Sequence, residues 1–321
     1  MEQPHLRAVS RSQGNNRALK AGEVTPARYR LEFEEVPVLV QAFRRMVRGL
    51  EFDVCEMAIT TYLTAKAHGA AFTAIPVFLV RGFHHGAMVR PADRPELRPK
   101  DLAGRRVGVN RGYTVTTGVW ARAILRDEYG LDLDSVTWVP SGDEHVAAYV
   151  PPPNVLPPIG AQLSGSVVAG DLTAAVLTGE LAAAVGYPPD RPELAPLIPD
   201  PEAAGYAALA ERGHYPINHL VVVRDELLAE HPDLAPDLFE AFAESKRRYV
   251  DQLDALPEPT AVDRMHRRVR DITGGDPLPY GLEPNRRVLE ELARAAVDQH
   301  ILDRAPDLDA MFAPGTRDLV G

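Results

Sequence analysis

The chain reads as an α/β protein carrying mostly parallel sheets in two lobes, and three observations lead there. Strand–turn–helix units recur: Phe52–Met57 runs into a helix over Ile59–His68, and Arg105–Val109 into one marked by Val119, Trp120, Ala123 and Ile124. Strands alternating with helices imply parallel pairing. A late strand, His219–Val223, is followed only by helices, so the chain is expected to return to its first lobe. Finally, 321 residues suffice for two packed cores. In such sheets ligands bind beyond the strand carboxyl ends, where helix N-termini point, and a ligand cleft between the lobes is expected.

In chain order, His5–Val9 is a first strand and Ser12–Asn16 a polar turn into a helix around Ala18. Arg28–Val36 alternates like a strand, and Val38–Leu50 places Val40, Phe43 and Val47 on one helical face. Phe72–Val80 is a strand broken by Pro76, which argues for an edge or a bend. Gly82–Gly86 (GFHHG) is a polar kink before the strand Ala87–Arg90. Pro91–Pro99 is a proline-rich connection, and Asp101–Gly104 a short helical turn. Ser135–Val139 is a strand, while Tyr149–Gly160 carries five prolines and is irregular. Leu172–Thr178 is helical, Leu181–Tyr187 an apolar strand, and Pro201–Arg212 a helix stopped by Gly213. From Asp225 on almost everything is helix, including Leu234–Tyr249 and Pro284–His300. The lobes are accordingly expected at 1–86 with 219–321, and at 87–218.

Composition narrows the function. A formal net charge of −10 with no basic stripe argues against nucleic acid as a partner. Only Lys20, Lys66, Lys100 and Lys246 are lysines, so arginine dominates the cations, and arginine suits bidentate carboxylate grips. Cys55 stands alone, which excludes an internal disulfide and fits a reducing compartment. The first residues have no apolar core of a signal peptide, and no run reaches membrane-spanning length. A cytoplasmic protein without membrane contact is expected; self-association is left open.

The turn Gly112-Tyr113-Thr114 ahead of a helix presents free backbone N–H groups and hydroxyls at a positive dipole end, a site suited to carboxylate or phosphate. The alternative is that Thr114, Thr116 and Thr117 simply cap the helix.

Taken together, FDVCEMAITTYL (Phe52–Leu63), AIPVFLVRGFHH (Ala74–His85), RVGV followed by TVTTGVWARAILRDEYG up to Gly130, GDLTAAVLTGEL (Gly170–Leu181), HYPINHLVVVRDELLAEHP (His214–Pro232) and PLPYGLEPNRRVLE (Pro277–Glu290) resemble, in order, the 4,5-dihydroxyphthalate decarboxylase family. The resemblance covers most of the chain from about Phe52 onward. It implies a two-lobed type II periplasmic-binding-protein-like fold and a decarboxylase of a hydroxylated aromatic dicarboxylic acid. Two departures bear on the substrate. His84-His85-Gly86 stands where the family usually has Arg-His-Ser, and Asn218 stands where it usually has methionine.

Such a reaction needs donors to hold the spectator carboxylate, an acid to protonate the ring carbon, and polar partners for charge on a ring hydroxyl. His85, matching the family in the polar kink, is the favoured proton donor. His219, at the return strand, is a second catalytic candidate or a satisfied core histidine. Glu56, at a strand end, would orient a histidine or form a plain buried pair. Arg81 would clamp a carboxylate or make an ion pair, and His84 would touch ligand or solvent. Thr60, Tyr113, Thr114, Thr116 and Asn218 complete the expected substrate contacts. Tyr62, Trp120 and Tyr280 suit a core, and Cys55 a buried small hydrophobe. His84, His85, His214, His219 and Glu56 could supply metal ligands but show no helical ligand spacing, so a metal is the less favoured option, and no organic cofactor is expected because the hydroxylated ring can itself act as electron sink. The rival class is a binding protein for a small anionic aromatic carboxylate; the start of the sequence favours the enzyme.

Overall fold

The computed structural model describes residues 3–159 and 171–321. Gly160, which ends the proline-rich stretch, and Gly170, which opens one matched segment, lie outside the described residues. Contacts divide the chain into two units. Met1–Arg81, Leu209–Glu291 and Pro306–Gly321 form the first, and Gly82–Ala208 with Leu292–Ala305 the second. The division departs from the sequence expectation. Residues 209–218 fall in the first unit, 82–86 in the second, and 292–305, expected in the first, fall in the second as well. The reason for the latter is polar: Gln299 and Asp298 bond Arg122 and Arg126 of the second unit.

The first unit begins with β1 (His5–Val9), α1 (Arg17–Lys20), β2 (Arg30–Phe33), α2 (Leu39–Gly49), β3 (Val54–Ala58), α3 (Ile59–Ala67) and β4 (Phe72–Arg81). The second carries β5 (Met88–Pro91), β6 (Arg106–Val109), α4 (Thr116–Asp127), β7 (Thr137–Pro140), α5 (Leu172–Leu177), β8 (Ala183–Val185) and β9 (Leu194–Pro196). Helix α6 (Pro201–Arg212) leads back to β10 (Ile217–Arg224). Then come α7 (Asp225–Glu230), α8 (Leu234–Gln252), α9 (Ala261–Thr273) and α10 (Arg286–Asp298), which starts in the first unit and ends in the second.

Among the described residues each unit holds one five-stranded sheet, ordered β2-β1-β3-β10-β4 and β7-β6-β8-β5-β9. Both are mixed, where mostly parallel sheets were expected. β1 pairs parallel with β2 and β3, but β10 lies antiparallel to both β3 and β4. In the second unit β6 is parallel to β7 and β8, whereas β5 is antiparallel to β8 and β9. Hydrophobic pattern reports burial, not direction, so a returning strand looks the same either way. Pro76 is consistent with its place: β4 is an edge strand, where a missing N–H is tolerated. β3 is buried along its whole length, and Cys55 is a buried free thiol. Among the described residues no helix is long and apolar enough to cross a membrane.

Candidate active site

Register alone brings the first group together. Glu56 on β3 faces Val221 across the antiparallel pair, so His219, two residues away on β10, lies on the same sheet face. On the other side β1 pairs parallel with β3, Val9 opposite Cys55, and the next residue, Ser10, reaches Glu56. The Glu56 carboxylate is only 1% exposed and fully satisfied. One oxygen accepts from Ser10 Oγ (2.8 Å) and the Arg11 N–H (2.9 Å); the other accepts from His219 Nδ1 (2.6 Å). Asn16 donates to Ser10 Oγ at 2.8 Å, which leaves the hydroxyl proton for Glu56. Burial pushes the Glu56 carboxyl up, but the bonds from His219, Ser10 and Arg11 outweigh it and hold it below its ordinary value. An ionised acceptor at Nδ1 fixes the His219 tautomer and the orientation of the ring. The imidazole packs edge-on to Phe43 at 5.3 Å, and its side chain keeps 19% exposure. β10 is also irregular against β4 on both sides of His219, the kind of bulge that re-aims a side chain.

Arg81 ends β4 with its Cα opposite Ile217, while Val80 lies opposite His219. Both residues therefore stand at one end of the sheet, with Ser10 just beyond β1 and Thr60 in the first turn of α3 after β3. Thr60 is buried and its carbonyl accepts from Thr64 Oγ1 at 2.8 Å. Asn218 is half-buried beside His219.

The second unit holds the remaining candidates. His85 is completely buried, and its Nε2 sits 2.9 and 3.1 Å from the two Glu128 oxygens. His84 next to it is buried as well. The turn before α4 holds an anion, but the anion is the chain's own Glu144. Its carboxylate accepts from Tyr113 N (2.5 Å), Thr114 N (3.1 Å) and Thr114 Oγ1 (2.6 Å). Gly112 admits it, since a Cβ there would lie 2.6 Å from a Glu144 oxygen. The carboxylate that the turn was expected to suit is here supplied by the chain itself. The threonines do not cap the helix, because the N-cap is Val115 with no side-chain bond, and Thr116 is buried in the first turn. Behind the turn, fully buried Arg122 stacks on the Tyr113 ring at 3.9 Å and donates to the Tyr113 carbonyl (2.6 Å) and to Gln299 (2.7 Å). Arg111 adopts the left-handed conformation there, with φ of 66°.

The structure thus brings Glu56, His219 and Arg81 to one sheet end in the first unit, and Tyr113 and Thr114 together in the second. His84 and His85 sit at the start of the second unit. Sequence reasoning missed Ser10, Asn16, Glu128, Glu144 and Arg122: Ser10, Glu128, Glu144 and Arg122 reach partners far along the chain, and Asn16 acts through Ser10. Among the described residues no three His, Cys, Asp or Glu side chains form a group able to hold a metal ion.

Comparisons with known proteins define the class first. The periplasmic aliphatic sulphonate binding protein SsuA from Escherichia coli superposes with a TM-score of 0.53, 12% identity, and coverage of 99% of this chain and 100% of that one. The desulfurization enzyme DszB, in a mutant form complexed with biphenyl-2-sulfinic acid, gives 0.52 at 17% identity, covering 99% and 98%. At such identities the likeness shows the fold alone: a two-unit α/β protein of the periplasmic-binding-protein type.

Sequence similarity goes further. A 4,5-dihydroxyphthalate decarboxylase from Comamonas testosteroni is 30% identical over 267 residues, covering 79% of this chain and 80% of the relative. One from Pseudomonas putida is 31% identical over 186 residues, covering 53% and 69%. The chain belongs to the 4,5-dihydroxyphthalate decarboxylase family. No protein-family model matches it.

Proposed function

We propose that the protein is a carboxy-lyase that releases carbon dioxide from a hydroxylated aromatic dicarboxylic acid resembling 4,5-dihydroxyphthalate, with no metal or organic cofactor. The observation that carries this reading is the Glu56–His219 pair: a saturated buried carboxylate holds Nδ1, and the imidazole keeps an exposed edge. His219, as imidazolium, delivers its Nε2 proton to the ring carbon bearing the departing carboxylate. The para hydroxyl feeds electron density to that carbon. The ring–carboxylate bond then breaks, its electron pair restores the aromatic ring, and carbon dioxide leaves. Neutral His219 regains its proton from water. Sequence alone favours His85 for this role; its complete burial against Glu128 moves the assignment to His219. The cytoplasm suits an enzyme acting on such an intermediate.

The test is incubation with a panel of aromatic dicarboxylates in chelator-treated buffer, following carbon dioxide. Release is expected from 4,5-dihydroxyphthalate and not from phthalate, which lacks the hydroxyl electron source. Activity that needs an added divalent ion would remove the cofactor-free part of the reading. Tight binding of these acids without release from any would favour the rival reading, a binding protein, which the fold of SsuA also accommodates.

A further inference from the structure

Arg81 is a buried cation whose charge no described neighbour cancels. The residue is 7% exposed, and the guanidinium carbon lies 4.7 Å from the Tyr215 ring centre and 5.9 Å from that of Phe78. Among the described residues its hydrogen bond runs from one Nη to Asn285 Oδ1, and its Nε is buried with no acceptor. Asn285 cannot turn to offer anything else, because its Nδ2 donates to the carbonyls of Pro279 (2.9 Å) and Gly281 (2.8 Å). An amide oxygen satisfies one N–H but carries no counter-charge.

The surrounding titratable groups are committed elsewhere. Asp276 is paired with Lys246, which lies over the Tyr280 ring. Tyr280 Oη accepts from Asn15 at 3.1 Å. Asp263 takes the Tyr249 hydroxyl proton at 2.5 Å, and His266, bonded to that hydroxyl at 2.8 Å, is kept neutral by burial. Desolvation brings the Arg81 guanidinium down to about 10, so it is still charged at neutral pH. These carboxylates have their donors, and among the described residues around it the arginine alone lacks its anion. Buried charges are ordinarily paired, and removing one partner of such a pair is strongly destabilising.

We propose that the Nε edge of Arg81 is the receptor for one carboxylate of an aromatic acid, gripped through two parallel N–H bonds. The identity of the acid rests on the decarboxylase reading; the site itself does not. Because Val80 pairs with His219 and Arg81 follows it, an acid held on Arg81 lies at the sheet end that carries the His219 imidazole. An aromatic 1,2-dicarboxylate would then present its spectator carboxylate to Arg81 and the departing one to His219.

Phthalate itself is the probe, since it carries both carboxylates and no hydroxyl and so binds without turnover. Calorimetry on the full chain should find phthalate binding, weakened by about tenfold or more in Arg81→Gln. Arg81→Lys keeps the charge, and therefore the fold, but loses the planar fork; it should weaken binding severalfold. Phthalate should raise the thermal midpoint of the wild type and leave that of Arg81→Gln in place. If Arg81→Lys binds phthalate as the wild type does, Arg81 is a structural cation and the proposal fails, whether or not Arg81→Gln folds. Absence of phthalate binding by the wild type would overturn it as well. Arg81-dependent binding by a protein that releases no carbon dioxide from 4,5-dihydroxyphthalate keeps the site and sinks the decarboxylase reading. Turnover of that acid with unchanged KM in Arg81→Lys does the reverse.

Discussion

His219 and His85 each lean on a carboxylate, yet the two imidazoles differ in what they leave available. At His219 the carboxylate takes Nδ1, and a partly exposed edge remains to meet a ring carbon. At His85 the carboxylate takes Nε2, and the ring is fully enclosed. A proton donor must reach its target, and on that ground the proposed function gives the role to His219. His219→Asn is expected to lower kcat by about 10² or more while phthalate affinity stays within severalfold. Glu56→Gln should retain the fold and lose most of the turnover, because an amide can present either N–H or oxygen to Nδ1 and no longer fixes the tautomer. His85→Asn should keep kcat within severalfold and cost about 1–3 kcal/mol of stability, measured by denaturant unfolding, through the buried bond to Glu128. The reverse pattern, a dead His85→Asn and an active His219→Asn, would return the donor to the polar kink. The motif made both histidines visible in the sequence. What it hid was their depth: burial of His85 is set by packing around Glu128, which is distant in sequence.

The start of α4 shows the same limit for an element. Strand β6, the small-residue turn and the helix were legible from spacing, and so was the affinity of that turn for an anion. The identity of the anion was not, because Glu144 enters from a loop after β7 that has no periodic signal. Gly112 leaves the space that the Glu144 carboxylate fills, and a single sequence gives no reason to prefer that role over a simple turn. With Glu144 removed, two buried N–H groups and a hydroxyl lose their acceptor. Glu144→Ala should therefore cost about 2 kcal/mol in denaturant unfolding, and Glu144→Gln, which keeps an acceptor oxygen, clearly less. Gly112→Ala should resemble Glu144→Ala, since the new methyl occupies the carboxylate's place. If Glu144→Ala is as stable as the wild type, the carboxylate is a dispensable visitor, and the turn returns as a candidate substrate site.

For the molecule as a whole, the two-unit division and the return of β10 were readable because strand and helix patterns are local. Strand direction, and the passage of α10 from one unit to the other, depend on tertiary pairing and were not. The His266 cluster was equally hidden: its partners Tyr249 and Asp263 sit on α8 and α9, and only packing brings them together. Tyr249 has one proton, given to Asp263, so His266 must donate through Nδ1 to the Tyr249 oxygen. Burial lowers His266 from 6.5 to about 4, with Asp263 and Asp276 opposing the shift and Arg81 adding to it. Between those two values the unfolded chain takes up a proton that the folded one refuses, so stability falls as pH falls. Above about 6.5 the contribution is fully present; below about 4 it is fully lost, amounting to about 3 kcal/mol. Asp263 and Glu56, both held below their usual carboxylate values, add further losses at more acid pH. The informative quantity is the difference between two proteins, in which every other group's contribution cancels. Chemical denaturation at pH 7 and pH 5 should show the wild type losing about 2 kcal/mol more than His266→Gln, whose amide can still donate to Tyr249. Parallel losses in the two proteins would mean that His266 takes its proton normally in the folded state, and that Arg81 has a cationic neighbour instead of a neutral one.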